Sequence, residues 1–205
     1  MWATKLLQAP IRGAGRSAQT GAAGLEFALV SIVLFTLLFG IIEIARVMYM
    51  YNTLAESTRG AARAAANIDF HNTSGLSLAR QQAIFRQSPG ALVVGDPITD
   101  QHIRIDYLSL ARQGNGSLAM TPILPGSLPG CPSRNRQNCL TDPYGSSCIR
   151  LVRVRVCSPG AGNECDPVQY QPLFGLIPLN ISLPTSTTIV NAESLGYNAG
   201  DALCN

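Results

Sequence analysis

An apolar run near the start of the chain is the strongest pattern in the sequence. Residues 27–42 read FALVSIVLFTLLFGII and carry no charged side chain. As a helix at about 1.5 Å per residue they cover roughly 24 Å, short of a bilayer core of about 30 Å. Starting at Ala22 lengthens the run to roughly 31 Å, interrupted only by Glu26. The pattern predicts a transmembrane helix with Glu26 near one end.

The helical pattern continues beyond the apolar run. Glu43 and Arg46 are spaced to share one helical face and can pair there. Tyr49 and Tyr51 follow. All four residues are typical of anchors at the outer membrane interface. Residues 52–66 are rich in alanine and contain no proline, which predicts one helix over residues 22–66. The small residues of its second half allow another element to approach closely, although they also suit a solvated helix.

Residues 67–205 show shorter periods. Residues 76–87 predict an amphipathic helix. Residues 102–110 and 149–156 alternate like strands, and residues 179–190 predict an edge strand or a bulge because proline interrupts them. The inner positions predicted for the helix are Leu76, Ala79, Ala83 and Phe85, and those for the two strands are Ile103, Ile105, Tyr107, Val152, Val154 and Val156. The fold class expected is α+β, a small antiparallel sheet packed on the long helix.

Six cysteines lie beyond the predicted membrane helix, as expected for disulfides in an oxidising compartment. They are Cys131, Cys139, Cys148, Cys157, Cys165 and Cys204. Their spacing of eight or nine residues up to Cys165 does not suit zinc, so no metal is expected. A strand from Cys148 to Cys157 would separate its ends by about 30 Å, which excludes that bond. Twelve pairings remain, of which we favour 131–139, 157–165 and 148–204, with residues 113–147 as an irregular loop stapled by disulfides.

Charge sets the orientation that we predict for the chain. The formal net charge is +3, too small for a nucleic-acid footprint, so no nucleic-acid partner is expected. Residues 1–21 carry Lys5, Arg12 and Arg16 and no acid, while residues 22–205 balance. A basic leader before an apolar helix predicts a cytoplasmic N-terminus and an exported C-terminal domain.

Catalytic chemistry has no motif in this sequence. There is no nucleophile elbow, phosphate-binding loop or HExxH sequence. The two histidines, His71 and His102, are read as surface residues, although an acid–base pair of Asp100 and His102 is conceivable. Arg150, Arg153 and Arg155 are read as a solvated or subunit-facing stripe. We therefore expect a non-enzymatic protein without a cofactor.

The junction between leader and helix carries a family resemblance. Gly21 is followed by Ala22 and, after three more residues, by Glu26 and Phe27, which open the apolar helix. With Gly40, Glu43, Arg46 and the RGAAR block at 59–63, this stretch closely resembles the TadE-like family of minor pseudopilins. It departs from many members by lacking a proline soon after the Glu-Phe pair, which leaves the helix unkinked.

The resemblance implies a structural minor pseudopilin of a tight-adherence (Flp, type IVb) pilus assembly system. It implies a pilin-like fold, cutting by a prepilin peptidase after Gly21, and assembly through helix residues Glu26, Gly40, Glu43 and Arg46. The implied partners are the lipid bilayer, the peptidase, other pilin-like subunits and the assembly platform. The implied location is the bacterial inner membrane, with residues 1–21 as leader, 22–66 as helix and 67–205 as periplasmic domain.

Glu26 is costly inside a membrane, by roughly 2.5–3.5 kcal/mol at a helix centre. Cutting after Gly21 would give it a partner, the new amine of Ala22, in the same chain or a neighbouring one. Alternatively, the carboxylate can snorkel to the headgroups. A competing hypothesis for the whole chain is a signal-anchored type II membrane protein with a binding ectodomain, favoured by the sequons at Asn72, Asn115 and Asn180. A cleaved secretory signal and a membrane-anchored hydrolase are weaker alternatives.

Overall fold

One long helix opens the described part of the chain. The structure is a computed structural model, and it describes residues 20–160, 164–175 and 180–204. Most of the predicted leader lies outside them. Helix α1 runs over Thr20–Ala65. Within it, Gly21–Ala65 is long and apolar enough to cross a membrane, since it contains an 18-residue window with a mean hydropathy of 2.6. The chain divides into two compact units, and the boundary lies inside α1, between Gly40 and Ile41.

The second unit holds a four-stranded antiparallel sheet in the order β2-β1-β3-β4. Its strands are β1 at Ile103–Arg112, β2 at Leu118–Pro122, β3 at Leu151–Val156 and β4 at Thr187–Asn191. Alternate residues of β1 and β3 enter one core with the second half of α1. The α+β, pilin-like fold class is therefore confirmed, and so are the inner positions predicted for both strands. β4 lies at the sheet edge and begins only at Thr187, after Pro184.

The alanine-rich part of α1 is the helix side of that core. Ala61, Ala62, Ala65 and Ala66 are all buried there. The Thr58 hydroxyl hydrogen-bonds that of Thr188 on β4 at 2.9 Å. The small residues therefore admit the sheet of the same chain, which decides between a close approach and a solvated helix.

The amphipathic helix α2 covers Thr73–Ala83 and is shorter than the 76–87 prediction. Its predicted inner residues are buried with one exception, since Phe85 is exposed. The helix ends before Phe85, which has a positive φ of 59°, and Ile84 takes the fully buried position instead. The error came from extending a helical period past the last helical residue.

Three disulfides form, but two of the favoured pairings are wrong. The bonds join Cys131 to Cys204, Cys139 to Cys148, and Cys157 to Cys165. Helix α3, Pro132–Thr141, begins directly after Cys131. Cys139 is therefore about 12 Å further along the helix axis, too far for a bond with Cys131. The 157–165 bond and the exclusion of 148–157 are confirmed.

Residues 113–147 are more ordered than the expected irregular loop. They contain β2, which pairs with β1, and α3, which the 139–148 disulfide ties to the segment leading into β3. Neither element has a strong apolar period, because β2 lies at an exposed edge and α3 is mostly polar.

Candidate functional site on the N-terminal helix

The first turns of α1 present the residues assigned to processing. Gly21, Ala22, Glu26 and Phe27 are all exposed. A side chain added at Gly21 would meet nothing within 4 Å. Gly40, further along, is half-buried. Among the described residues, this part of α1 is therefore an open helical surface.

Glu43 is enclosed by the globular unit. Its side chain is 1% exposed. One carboxylate oxygen accepts a short hydrogen bond from the Tyr170 hydroxyl, and the other accepts from the backbone N–H of Phe174 at 2.9 Å. The carboxylate thus ties segment 170–174 to α1.

Arg46, one turn later, is 5% exposed and holds two segments at once. Its guanidinium donates to the carbonyl oxygens of Val94 at 2.8 Å, Asp96 at 2.9 Å and Gln171 at 2.5 Å. It also donates to the Tyr170 hydroxyl at 3.2 Å and lies 5.0 Å from the centroid of that ring. A fixed guanidinium fork suits this role, because several of its donors can be satisfied together.

Glu43 and Arg46 meet through Tyr170 rather than directly. Among the described residues, the ion pairs within 4.0 Å do not include this pair, so the direct pairing expected from their spacing is wrong. The Tyr170 hydroxyl donates to Glu43 and accepts from Arg46. Burial, together with its hydrogen bond to Glu43, raises the pKa of Tyr170. We call Glu43, Arg46 and Tyr170 the helix clamp.

The helix clamp corrects the view of these residues as simple interface anchors. Both charged side chains are used within their own chain, where they fasten two loops to α1. Their assignment to helix–helix assembly, like that of Gly40, stays a prediction. Sequence reasoning missed Tyr170 because it lies 124 residues after Arg46, and no local spacing links such distant positions. One signal was available in the sequence. Two charged residues at the end of an apolar helix are costly in a membrane, which indicates that they need polar partners.

The two histidines make local contacts with the backbone. His102 is buried rather than on the surface as expected, and burial lowers its pKa. Its Nδ1 accepts a hydrogen bond from the Thr99 backbone N–H at 3.0 Å, which caps the turn before β1. His71 Nε2 lies 2.7 Å from the Pro129 carbonyl oxygen. Within the described ranges no cluster of three His, Cys, Asp or Glu side chains could hold a metal ion.

Two residues of the predicted arginine stripe, Arg153 and Arg155, join Arg104 around one carboxylate, whereas Arg150 is exposed. Asp106 on β1 accepts hydrogen bonds from Arg104 at 3.0 Å, Arg153 at 3.0 Å and Arg155 at 2.6 Å. Burial alone would raise the pKa of Asp106, but the hydrogen bonds and charges of Arg155 and Arg104 outweigh it and hold that pKa below its ordinary value. The group therefore cross-links β1 to β3 on the face away from the core.

Acid should weaken the sheet through Asp106. Because the folded pKa lies below the ordinary 3.8, the stabilisation is complete above that value and is lost as pH falls through the folded pKa. Asp106→Asn should cost about 1–3 kcal/mol at pH 7 and should flatten the acid limb of stability against pH. Urea unfolding between neutral and acid pH measures both the cost at pH 7 and the slope of the acid limb.

Glu56→Gln is the control for Asp106→Asn, since Glu56 makes an exposed ion pair with Arg59, and such a pair contributes little to stability. Parallel acid limbs for Asp106→Asn and the unmodified chain would contradict the prediction.

Comparison with known proteins bears on α1 alone. The family model described as TadE-like protein matches residues 21–63. No curated protein and no solved structure matches the chain. The match therefore covers the open helical surface and the α1 residues of the helix clamp, and confirms the resemblance there.

Proposed function

We propose that this chain, which carries a TadE-like segment and is associated with a Tad pilus system, is a minor pseudopilin. A prepilin peptidase cuts it after Gly21, and the exposed half of α1 then packs with other pilin-like subunits. The globular unit contributes a surface to the pilus or to its assembly platform. Its role is structural rather than enzymatic.

The observation that carries the proposal is the coincidence of the family match with α1. The match covers residues 21–63, and all of them lie in α1. The proposed cleavage point therefore lies on α1, where no described atom lies within 4 Å of a side chain added at Gly21. A cut there leaves Ala22 as the first residue of a helix that is ready to pack.

The proposed topology places the N-terminus in the cytoplasm and the globular unit in the periplasm. The basic leader supports it. All six cysteines form disulfides, which persist in an oxidising compartment. One apolar N-terminal helix fits a single-pass membrane anchor. We place the anchor in the bacterial inner membrane.

Gly21→Leu should accumulate uncut precursor, because a branched side chain would then occupy the position that the peptidase must reach. Gly24→Leu is a matched control, since Gly24 lies on the same helix and also has nothing within 4 Å of an added side chain. It should be cut normally. N-terminal sequencing of the membrane-extracted protein, with immunoblotting of precursor and mature forms, measures the result.

A mature protein that still begins with Met1 would contradict the proposal and favour the type II anchor instead. That alternative would use its sequons, but the Asn72 side chain already caps α2 by accepting from Gly75 N–H at 2.9 Å. The Asn115 side chain accepts from Ser117 N–H at 3.0 Å. Both contacts use the amide oxygen, so glycan analysis of the extracted protein separates the two hypotheses: the type II anchor predicts glycans and the pseudopilin predicts none.

A further inference from the structure

Two exposed apolar tips flank α1 beside the helix clamp. One is Val93–Val94, and the other is Leu173. Their side chains are 57%, 56% and 53% exposed, respectively. Neither tip carries a charge, since residues 91–95 read ALVVG and residues 172–175 read PLFG. Both tips therefore present uncharged, apolar side chains beside α1.

The helix clamp fixes both tips at one height on α1. Arg46 binds the carbonyl oxygen of Val94, and the Tyr49 hydroxyl donates to the carbonyl oxygen of Val93 at 3.3 Å. On the other side, Arg46 and Glu43 bind the backbone on either side of Leu173. The tips are therefore built against helix residues 43–49 and do not hang freely.

The backbone of the first tip is strained at Val94. Val94 has a positive φ of 56°, a region that a β-branched residue rarely adopts. Its exposed side chain gains little burial within the chain in return. Backbone strain that is not offset by burial of the side chain indicates a role outside the fold.

The clamp also changes how far the apolar surface of α1 extends. The uncharged run 27–42 is too short for a bilayer core, but the two charges that end it are buried in the globular unit. Ile41, Ile44 and Met48 remain exposed on the same helix. The apolar face thus reaches from residue 27 to residue 48, about 33 Å, which matches a core of about 30 Å.

We propose that the two tips insert into the interface of the bilayer that α1 spans, as a second lipid contact of this chain. The occupant is lipid because the tips are held against α1 residues 43–49, the stretch on which Ile44 and Met48 expose apolar side chains. Asp96, exposed next to the first tip, limits insertion to interfacial depth, because a carboxylate there keeps its water. The proposal requires α1 to span a membrane but not pilus assembly, so it can fail separately from the proposed function.

Tryptophan quenching by brominated lipid tests the contact on the full chain. Trp2, the only native tryptophan, is replaced by phenylalanine, and one tryptophan is introduced by Val94→Trp, Val93→Trp or Leu173→Trp. Leu118→Trp is the control. Leu118 is 51% exposed and lies on strand β2, opposite Arg112, the last residue of β1. Peptide mapping of the three disulfides shows that each variant is folded.

In vesicles of phosphatidylcholine and phosphatidylglycerol with brominated acyl chains, the tip tryptophans should lose about twofold more emission than Leu118→Trp and shift to the blue. Equal quenching at tips and control would overturn the proposal. A blue shift at the tips without bromine quenching would overturn it too, because protein, such as a second copy of this chain, would then cover them.

Discussion

Arg46→Met should destabilise the globular unit by about 3–5 kcal/mol, the range for leaving a buried charge uncompensated, because Arg46 and Glu43 are coupled through Tyr170. The substitution keeps most of the apolar stem but removes donors to Val94, Asp96, Gln171 and Tyr170. It also leaves the Glu43 carboxylate buried without a nearby cation. Denaturant unfolding of the full chain in detergent should therefore show a large drop in midpoint.

The control for Arg46→Met is Arg59→Met on the same helix. Arg59 makes one exposed ion pair with Glu56 at 3.5 Å, and such a pair contributes little. A double variant, Glu43→Gln with Arg46→Met, should cost less than the sum of its single variants, because it removes both charges together. Additive costs, or an Arg46→Met effect as small as that of Arg59→Met, would show that the clamp is not a coupled buried unit.

Local periods predicted most of the fold. α2, β1 and β3 follow from patterns of 3.6 and two residues, because each buries one face against a single core. α1 follows from its apolar run and the alanine-rich, proline-free segment after it. Elements with little apolar burial escaped this reasoning. Strand β2 is exposed over most of its length, and helix α3 is so polar that its sequence has the composition of a loop.

The disulfides show a different limit. Excluding a Cys148–Cys157 bond needed only the length of a strand, a local quantity. Choosing among the remaining pairings needed α3, whose rise separates Cys131 from Cys139 and brings Cys139 near Cys148. Once one element is missed, every distance argument that crosses it fails.

The candidate site was predicted in part. The family resemblance placed Gly21 and Glu26 on the helix, where the structure has them, while their roles in processing and assembly stay predictions. The helix clamp was out of reach, because the partners of Glu43 and Arg46 lie between 48 and 131 residues away along the chain. Two charged residues at a membrane helix end suit either lipid headgroups or a tertiary contact, and only the fold separates these outcomes.

Glu26→Ala should insert normally and be cut after Gly21, yet fail to assemble with other pilin-like subunits. Insertion should improve, since a carboxylate near a membrane segment is costly. In the described structure Glu26 is exposed, so its loss should leave the globular unit as stable as before. Assembly should fail because the amine freed at Ala22, four residues earlier on the helix, would have no carboxylate to pair with, in its own chain or in a neighbour. Crosslinking to partner subunits and recovery in sheared pili measure this loss.

Glu26→Gln separates charge from size. If the amine–carboxylate pair is the decisive contact, the glutamine variant should assemble as poorly as the alanine variant, because the amide carries no charge for the amine of Ala22 to pair with. Glu56→Ala is the matched control, since Glu56 is an exposed acid on the same helix, and its loss should leave crosslinks at the level of the unmodified chain. Normal pili and unchanged crosslinks in Glu26→Ala would instead show that Glu26 is an interfacial carboxylate that reaches the headgroups, and would leave packing of the apolar face of α1 as the source of assembly.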